Sequence, residues 1–253
     1  MPKPSSPASP LSVFVGCATC PHRALLDAGK CEVGDICLMA QSGRQIDRFL
    51  RRNPQLAQSC LTDGFWERRA IAARYAPLEV VRQLPRDPDE VVRRVVASRL
   101  PITELADYLA DSDREVRMTV AERIAPEQLH CLLDDEDYLV RLQVAKRLPQ
   151  GQLRGMAHDE DREVRKEVAR RLPPFALNLM LKDQDAEVRR IVAARLLPDD
   201  ATKLLGDEDW VVRLEVAQRA PLDAIAVLLQ DVESDVRTVV QQRLEEFRQG
   251  GNT

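Results

Sequence analysis

The chain has 253 residues, of which 44% are hydrophobic and 4% aromatic, and its charged residues nearly cancel to a net charge of −4. The hydrophobic share excludes wholesale disorder, and the charge balance disfavours a strongly basic nucleic-acid binder. With only 10 glycines and few aromatic residues, a β-sandwich or barrel is also disfavoured.

The N-terminal segment is rich in proline and serine, which predicts a disordered tail over residues 1–11. The apolar stretch Leu11–Val15 is too short for the hydrophobic region of a signal peptide. Since the sequence contains no run of 18 apolar residues, we expect no membrane span. We therefore expect a cytoplasmic protein, in which clustered cysteines bind metal more often than they form disulfides.

Five of the six cysteines precede residue 61, and four follow the pattern C-x2-C-x10-C-x5-C. These four are Cys17, Cys20, Cys31 and Cys37. Thiolates are soft ligands that suit zinc or an iron–sulfur cluster, and the C-x2-C spacing lets two sulfurs of one tight turn face one centre. The C-x5-C pair is unusual for zinc and Pro21 favours a cluster, which leaves zinc as the alternative.

Two further cysteines have other interpretations. Cys60 is a rival fourth ligand, although a buried thiol is the interpretation that we favour for it. Cys131 lies far from the others in sequence and is interpreted as a packing residue.

A repeat with the string V-R-x-x-V-A-x-R fills the remainder of the chain. We place the first arginine of this string at Arg68 in the first unit and at Arg93 in the second. The step between these two residues is one residue longer than each later step, and all later steps are equal. An aspartate stands six residues before this arginine in seven of eight units. The first arginines are Arg68, Arg93, Arg117, Arg141, Arg165, Arg189, Arg213 and Arg237. A second arginine follows each of them by six residues, at Arg74, Arg99, Arg123, Arg147, Arg171, Arg195, Arg219 and Arg243.

The sequence pattern of one unit predicts an α-helix of about three turns followed by a shorter helix. In Asp111–Pro126 the residues Val116, Val120 and Ile124 form one apolar stripe, and Asp113 is placed to cap the helix N-terminus. Pro126 ends the helix, and so few residues remain before the next unit that the second helix is one or two turns, of 3₁₀ type.

A unit of this size cannot close a core alone, so neighbouring units must stack into a solenoid. The last unit has polar Gln241 and Glu245 at positions that are apolar or proline elsewhere, as a terminal cap requires. The first unit has Glu67 in place of valine, so we expect the cysteine segment to cover that end of the stack.

The repeat resembles the leucine-rich repeat variant family over residues 61–247. The resemblance implies an all-α, right-handed superhelical solenoid in which α-helices alternate with 3₁₀-helices. Some members carry a cysteine segment similar to residues 12–60, which implies a [4Fe–4S] cluster with Cys17, Cys20, Cys31 and Cys37 each binding one iron. Residues 248–253 would then form a C-terminal tail.

The arginine columns allow two interpretations. The structural one pairs each first arginine with the aspartate four residues before it, as in Asp89–Arg93, and stacks such pairs into ladders between repeats. The other is a phosphate-binding stripe for nucleic acid, which the aspartate columns and the net negative charge disfavour.

Recognised enzymatic motifs are absent from the sequence, so we expect a protein that is not an enzyme. The leading hypothesis is a scaffold for an unknown protein partner on the solenoid surface, in which the cluster would add a response to redox state or oxygen. The alternatives are an electron-transfer protein that uses the cluster, and a zinc-capped solenoid that binds nucleic acid.

Overall fold

A computed structural model describes residues 16–84 and 86–250, with only the backbone of Gly250 included. The disordered tail predicted for residues 1–11 lies outside this range. The chain divides into two compact units, Met1–Ile124 and Ala125–Thr253. Within the described residues there is no β-strand, and none of the helices is both long and apolar enough to cross a membrane.

The described residues of the first unit form five α-helices of five or more residues. They are α1 Arg23–Asp27, α2 Gly43–Arg52, α3 Trp66–Tyr75, α4 Glu90–Arg99 and α5 Arg114–Arg123. The connections are 3₁₀ turns or a single α-turn, at Pro54–Leu56, Gln58–Cys60, Leu78–Val81, Ile102–Glu104 and Ala106–Tyr108. Within this unit α2 packs against α3, α3 against α4, and α4 against α5.

The second unit continues the same pattern. Its helices are α6 Tyr138–Arg147, α7 Arg162–Arg171, α8 Ala186–Arg195, α9 Trp210–Arg219 and α10 Ser234–Gly250. The short helical segments between them are Pro126–Leu132, Gln150–Met156, Pro174–Met180, Pro198–Ala201, Thr202–Leu204, Leu222–Ile225 and Ala226–Gln230. The predicted alternation of an α-helix with a short, mostly 3₁₀ segment is confirmed.

The core of each unit is the apolar stripe of the repeat helices. In α5 the side chains of Val116, Val120 and Ala121 are fully buried, and Ile124 is nearly so. Asp113 caps this helix by accepting hydrogen bonds from the backbone N–H groups of Glu115 and Val116, as predicted.

The register that we predicted for the first repeat is wrong by one residue. Arg69, not Arg68, makes the contacts of the first arginine column, because its guanidinium binds Asp87 as Arg93 binds Asp111. Counted from Arg69, every step has the same length, and Asp63 supplies the aspartate that the first unit lacked. The alanine of the repeat string is then Ala73 in the first unit, and its carbonyl accepts a hydrogen bond from Arg99.

The second arginine column consequently has an exception in the first repeat. Tyr75 occupies the position of Arg99, and its hydroxyl donates to Asp47 at 2.8 Å. Arg74 is half-exposed and lies 3.7 Å from the same carboxylate.

Arginines and aspartates form a ladder between repeats, as expected, but the pairing within one helix turn is wrong. Asp89 caps α4 through the Val91 N–H, and Arg93 turns to Asp111 of the next repeat instead. Such two-point contacts, at 2.7 to 3.1 Å, join Arg69–Asp87, Arg93–Asp111, Arg141–Asp159, Arg165–Asp183, Arg189–Asp207 and Arg213–Asp231.

The last helix is longer than the other repeat helices. No proline stands at the usual stop position, so α10 continues to Gly250, past the boundary at residue 247 that we predicted. Val236 and Val240 are buried, whereas Gln241 and Glu245 are exposed, which gives this helix the polar outer face expected of a cap.

Candidate metal centre

Three of the four predicted ligands line one cavity of about 270 Å³. Cys17 and Cys20 come from one tight turn, in which the Cys20 N–H donates to the Cys17 carbonyl at 3.4 Å. Cys37, Gly34, Gln41 and other neighbours complete the lining. The C-x2-C turn therefore brings both of its thiols to one cavity, as its spacing predicted.

A tight reversal of the chain relates Cys31 to Cys37. Glu32 and Ile36 form an antiparallel bridge, and Gly34 between them adopts φ +81°, a conformation that favours glycine. Because Cys31 and Cys37 directly flank the bridged pair, the reversal holds them side by side. This geometry accounts for the five-residue spacing that is unusual for zinc.

Helix α2 holds both ends of this reversal. The Cys37 N–H donates to the carbonyl of Gln45 at 3.3 Å, and the Gln45 side-chain amide donates to the Gly34 carbonyl. Asn53, at the C-terminal end of α2, donates to the Lys30 carbonyl at 2.9 Å, directly before Cys31. Sequence reasoning missed Gln45 and Asn53, because nothing in the cysteine pattern indicates which helix supports it.

The surroundings of Cys31 disfavour its charged form. Burial raises the pKa of Cys31, and the charges of Cys37, Cys17 and Cys20 raise it further. Cys31 is absent from the cavity lining but lies close enough to the other three sulfurs to be affected by each of them. A cationic centre between the four thiols would turn this mutual repulsion into attraction.

The donor set fits an iron–sulfur cluster. A [4Fe–4S] cluster is held by four thiolates, and the segment supplies four half-buried cysteines, three of which line this cavity. The backbone N–H of His22 donates to the Cys20 sulfur at 3.4 Å. Hydrogen bonds of this kind tune the reduction potentials of clusters. In residues 16–84 and 86–250, no three His, Cys, Asp or Glu side chains are gathered closely enough to hold a single metal ion.

The structure does not bring Cys60 to this cavity. Cys60 is buried, and its thiol donates to the Leu56 carbonyl at 3.4 Å. Burial raises its pKa, which favours the neutral thiol over a thiolate ligand. This is the buried thiol that we favoured over the rival ligand. The packing role predicted for Cys131 is wrong, because its side chain is exposed beside His130.

The cysteine segment meets the first repeat at Arg68, which sequence reasoning had placed in the arginine column. Arg68 is almost fully buried, and its Nε donates to the carbonyl of Leu38, the residue after Cys37, at 2.9 Å. Counting one period of the repeat back from Arg93 would have revealed that Arg68 lies outside that column.

Stacked helical repeats preceded by a segment with four clustered cysteines define the class, an all-α repeat protein with a cysteine-rich segment. Residues 13–59 match a family described as LRV protein FeS4 cluster, and residues 138–161 match the leucine-rich repeat variant family. A solved structure described as a leucine-rich repeat variant with a novel repetitive structural motif is 52% identical, with a TM-score of 0.86. The alignment covers 90% of this chain and 97% of that one. The chain therefore belongs to the leucine-rich repeat variant family, with an iron–sulfur segment.

Two other similarities are weaker. An uncharacterized 27.7 kDa protein in the nifB 3′ region of Rhodobacter capsulatus is 36% identical over 101 residues, which are 40% of this chain. The chain thus spans about two fifths (41%) of the length of this curated relative. A crystal structure of an engineered protein shares 18% identity over 89% of this chain and 90% of that one, with a TM-score of only 0.39.

Proposed function

We propose that this is an iron–sulfur repeat protein in which Cys17, Cys20, Cys31 and Cys37 each bind one iron of a [4Fe–4S] cluster. The observation that carries the proposal is the cavity lined by Cys17, Cys20 and Cys37, with Cys31 coupled to all three. When bound, the cluster would supply a one-electron redox centre and a rigid cross-link. The chain's own residues hold the thiols in place, through the turn at Cys17–Cys20 and the support of α2.

Anaerobic purification followed by iron and sulfide assay tests the ligand set. We expect about four irons per wild-type chain and a brown protein. Replacing any of the four ligands by serine, as in Cys31→Ser, should lose most of the iron, whereas the matched controls Cys60→Ser and Cys131→Ser should retain it. Full iron content in Cys31→Ser, or its loss in Cys60→Ser, would contradict the assignment.

We further propose that the repeats act as a non-catalytic scaffold for a protein partner. Support comes from large apolar side chains on the surface of the second unit, where Phe175 is 74% exposed and Leu197 is 51% exposed. Exposed apolar groups of this size are typical of protein interfaces when they lie together.

The arginine contacts favour a protein partner over nucleic acid. The first-column arginines bind aspartates of the next repeat, and second-column members such as Arg195 donate to backbone carbonyls of the preceding repeat. Guanidinium groups engaged in this way offer few donors to phosphates. Titration with fluorescent duplex and single-stranded nucleic acid at low salt should show no binding. Salt-sensitive micromolar binding would favour nucleic acid over a protein partner.

Electron transfer is the second candidate function, favoured by the partial exposure of all four ligand cysteines. A cluster at such a site lies near the surface, where a redox partner or oxygen can approach it. Protein-film voltammetry should then give a reversible one-electron response, and a cluster that dithionite does not reduce would exclude this function.

All six cysteines are free thiols, which fits a cytoplasmic location.

A further inference from the structure

One position of the repeat is apolar in the later repeats but charged in the first repeat. Seven repeats place a fully buried valine there, and these are Val92, Val116, Val140, Val164, Val188, Val212 and Val236. One period before Val92 stands Arg68. A side chain that faces the apolar stripe in every other repeat is therefore a cation in the repeat that adjoins the cysteine segment.

Arg68 has one hydrogen-bond acceptor in the cysteine segment and one, a carboxylate, in the first repeat. Its Nε donates to the Leu38 carbonyl at 2.9 Å, and its Nη1 donates to the Asp63 carboxylate at 2.6 Å. The guanidinium carbon lies 5.6 Å from the centre of the Phe65 ring. With 9% of its surface exposed, Arg68 is buried at the junction of the two parts.

These contacts explain why a cation is tolerated in a core position. A buried charge without partners would cost several kcal/mol, so Arg68 is stable there only while its acceptors stay in place. Asp63 belongs to the first repeat, whereas Leu38 follows Cys37 directly and is itself buried. If the segment around Cys37 moves away, Arg68 loses the Leu38 carbonyl as an acceptor and keeps its ion pair with Asp63.

We infer that Arg68 is a positioning residue that couples the cysteine segment to the repeat array. It fixes the backbone after Cys37 when the segment is ordered, and the first repeat loses this contact when the segment is released. The inference rests on the proposed function, since the cluster is what orders the segment. Valine at this position would favour packing in both states, whereas arginine makes the first repeat depend on the state of the thiol site.

The test compares wild-type protein with Arg68→Val, the residue that the other repeats use, and with Arg68→Lys, which keeps the charge but not the guanidinium fork. Arg94→Val, at a half-exposed arginine of α4, is the matched control. Each protein is prepared anaerobically. Two quantities are measured: the urea midpoint with the cluster and after its removal, and the rate of iron release to a chelator.

In Arg68→Val we expect the difference between the two urea midpoints to fall by at least half, and iron release to be roughly tenfold faster because a charge-assisted hydrogen bond is lost. Arg68→Lys should lie between this variant and wild type, and Arg94→Val should match wild type. An unchanged midpoint difference and release rate in Arg68→Val would overturn the inference while leaving the cluster assignment intact. Wild-type protein that never binds iron would instead refute the proposed function.

Discussion

At the scale of single residues, Tyr108 is a buried side chain with an unfavourable polar group. It occupies the position held by Leu132 and Met156 in later repeats, and its hydroxyl finds no hydrogen-bond partner among the described residues. Burial raises its pKa to about 12, with the charges of Asp111 and Asp107 adding to the effect. An unpaired buried hydroxyl costs about 1–3 kcal/mol.

Tyr108→Phe should therefore stabilise the protein by about 1 kcal/mol at neutral pH, as measured by urea unfolding. Because the folded pKa exceeds the unfolded value of about 10, wild type should lose stability as the pH rises from about 10 to 12. The variant should lack the part of that loss that comes from Tyr108. A variant less stable than wild type, with an unchanged alkaline slope, would show that the hydroxyl has a partner.

Residues at the junction were the hardest to predict from the sequence. The string around Arg68 matches the repeat pattern closely enough to hide a shift of one residue, and only the contact of Arg69 with Asp87 resolves it. The four clustered cysteines, by contrast, were recognisable because soft ligands at short spacings are rare outside metal sites. The side chains that support them, such as Asn53, act through tertiary contacts that no local pattern encodes.

At the scale of elements, a single arginine connects two neighbouring repeats. Arg165 donates to the carbonyl of Asp159 in its own repeat at 2.8 Å and to both carboxylate oxygens of Asp183 in the next. Both side chains of the pair are almost fully buried. A buried pair of this kind is far more sensitive to the loss of one partner than a pair at the surface.

Arg165→Met should destabilise the protein by about 3 kcal/mol, because Asp183 is left buried without its cation. The matched control is Arg170→Met in the same helix, since Arg170 is half-exposed and forms a longer ion pair with Glu167. We expect this control to change the free energy of unfolding by less than about 0.5 kcal/mol. Equal effects in the two variants would contradict a structural role for the ladder.

The ladder also predicts sensitivity to acid. The hydrogen bond from Arg213 lowers the pKa of Asp231, and this outweighs the opposite effect of burial. A lowered folded pKa means that the stabilisation is present above the unfolded pKa of about 3.9 and is lost as the pH falls below it.

The free energy of unfolding should accordingly decline below about pH 4, and Asp231→Asn should flatten part of that slope while lowering stability at pH 7. Urea unfolding between pH 2.5 and 7 provides the measurement. If Asp231→Asn and wild type lost stability in parallel below pH 4, the pairing of Arg213 with Asp231 would not be the cause.

At the scale of the whole molecule, the period of the sequence was sufficient to predict the repeat helices and their class. Val, Ala and Asp recur at a constant interval, and each has a defined role in packing or capping one unit. The end of α10 was predicted less well, because a helix without a stop signal continues until other contacts end it. The partner is also beyond prediction, since exposed side chains such as Phe175 do not encode its identity.

The central claim is that the cysteine segment, once it binds its cluster, stabilises the first repeat. Amide hydrogen exchange of Trp66–Tyr75, measured with the cluster and after its removal, tests this most directly, and Ala186–Arg195 in the same molecule is the internal control. We predict that removal accelerates exchange in Trp66–Tyr75 roughly tenfold, a loss of about 1.4 kcal/mol of local stability, and leaves Ala186–Arg195 unchanged. Identical exchange of Trp66–Tyr75 in the two states would contradict the claim.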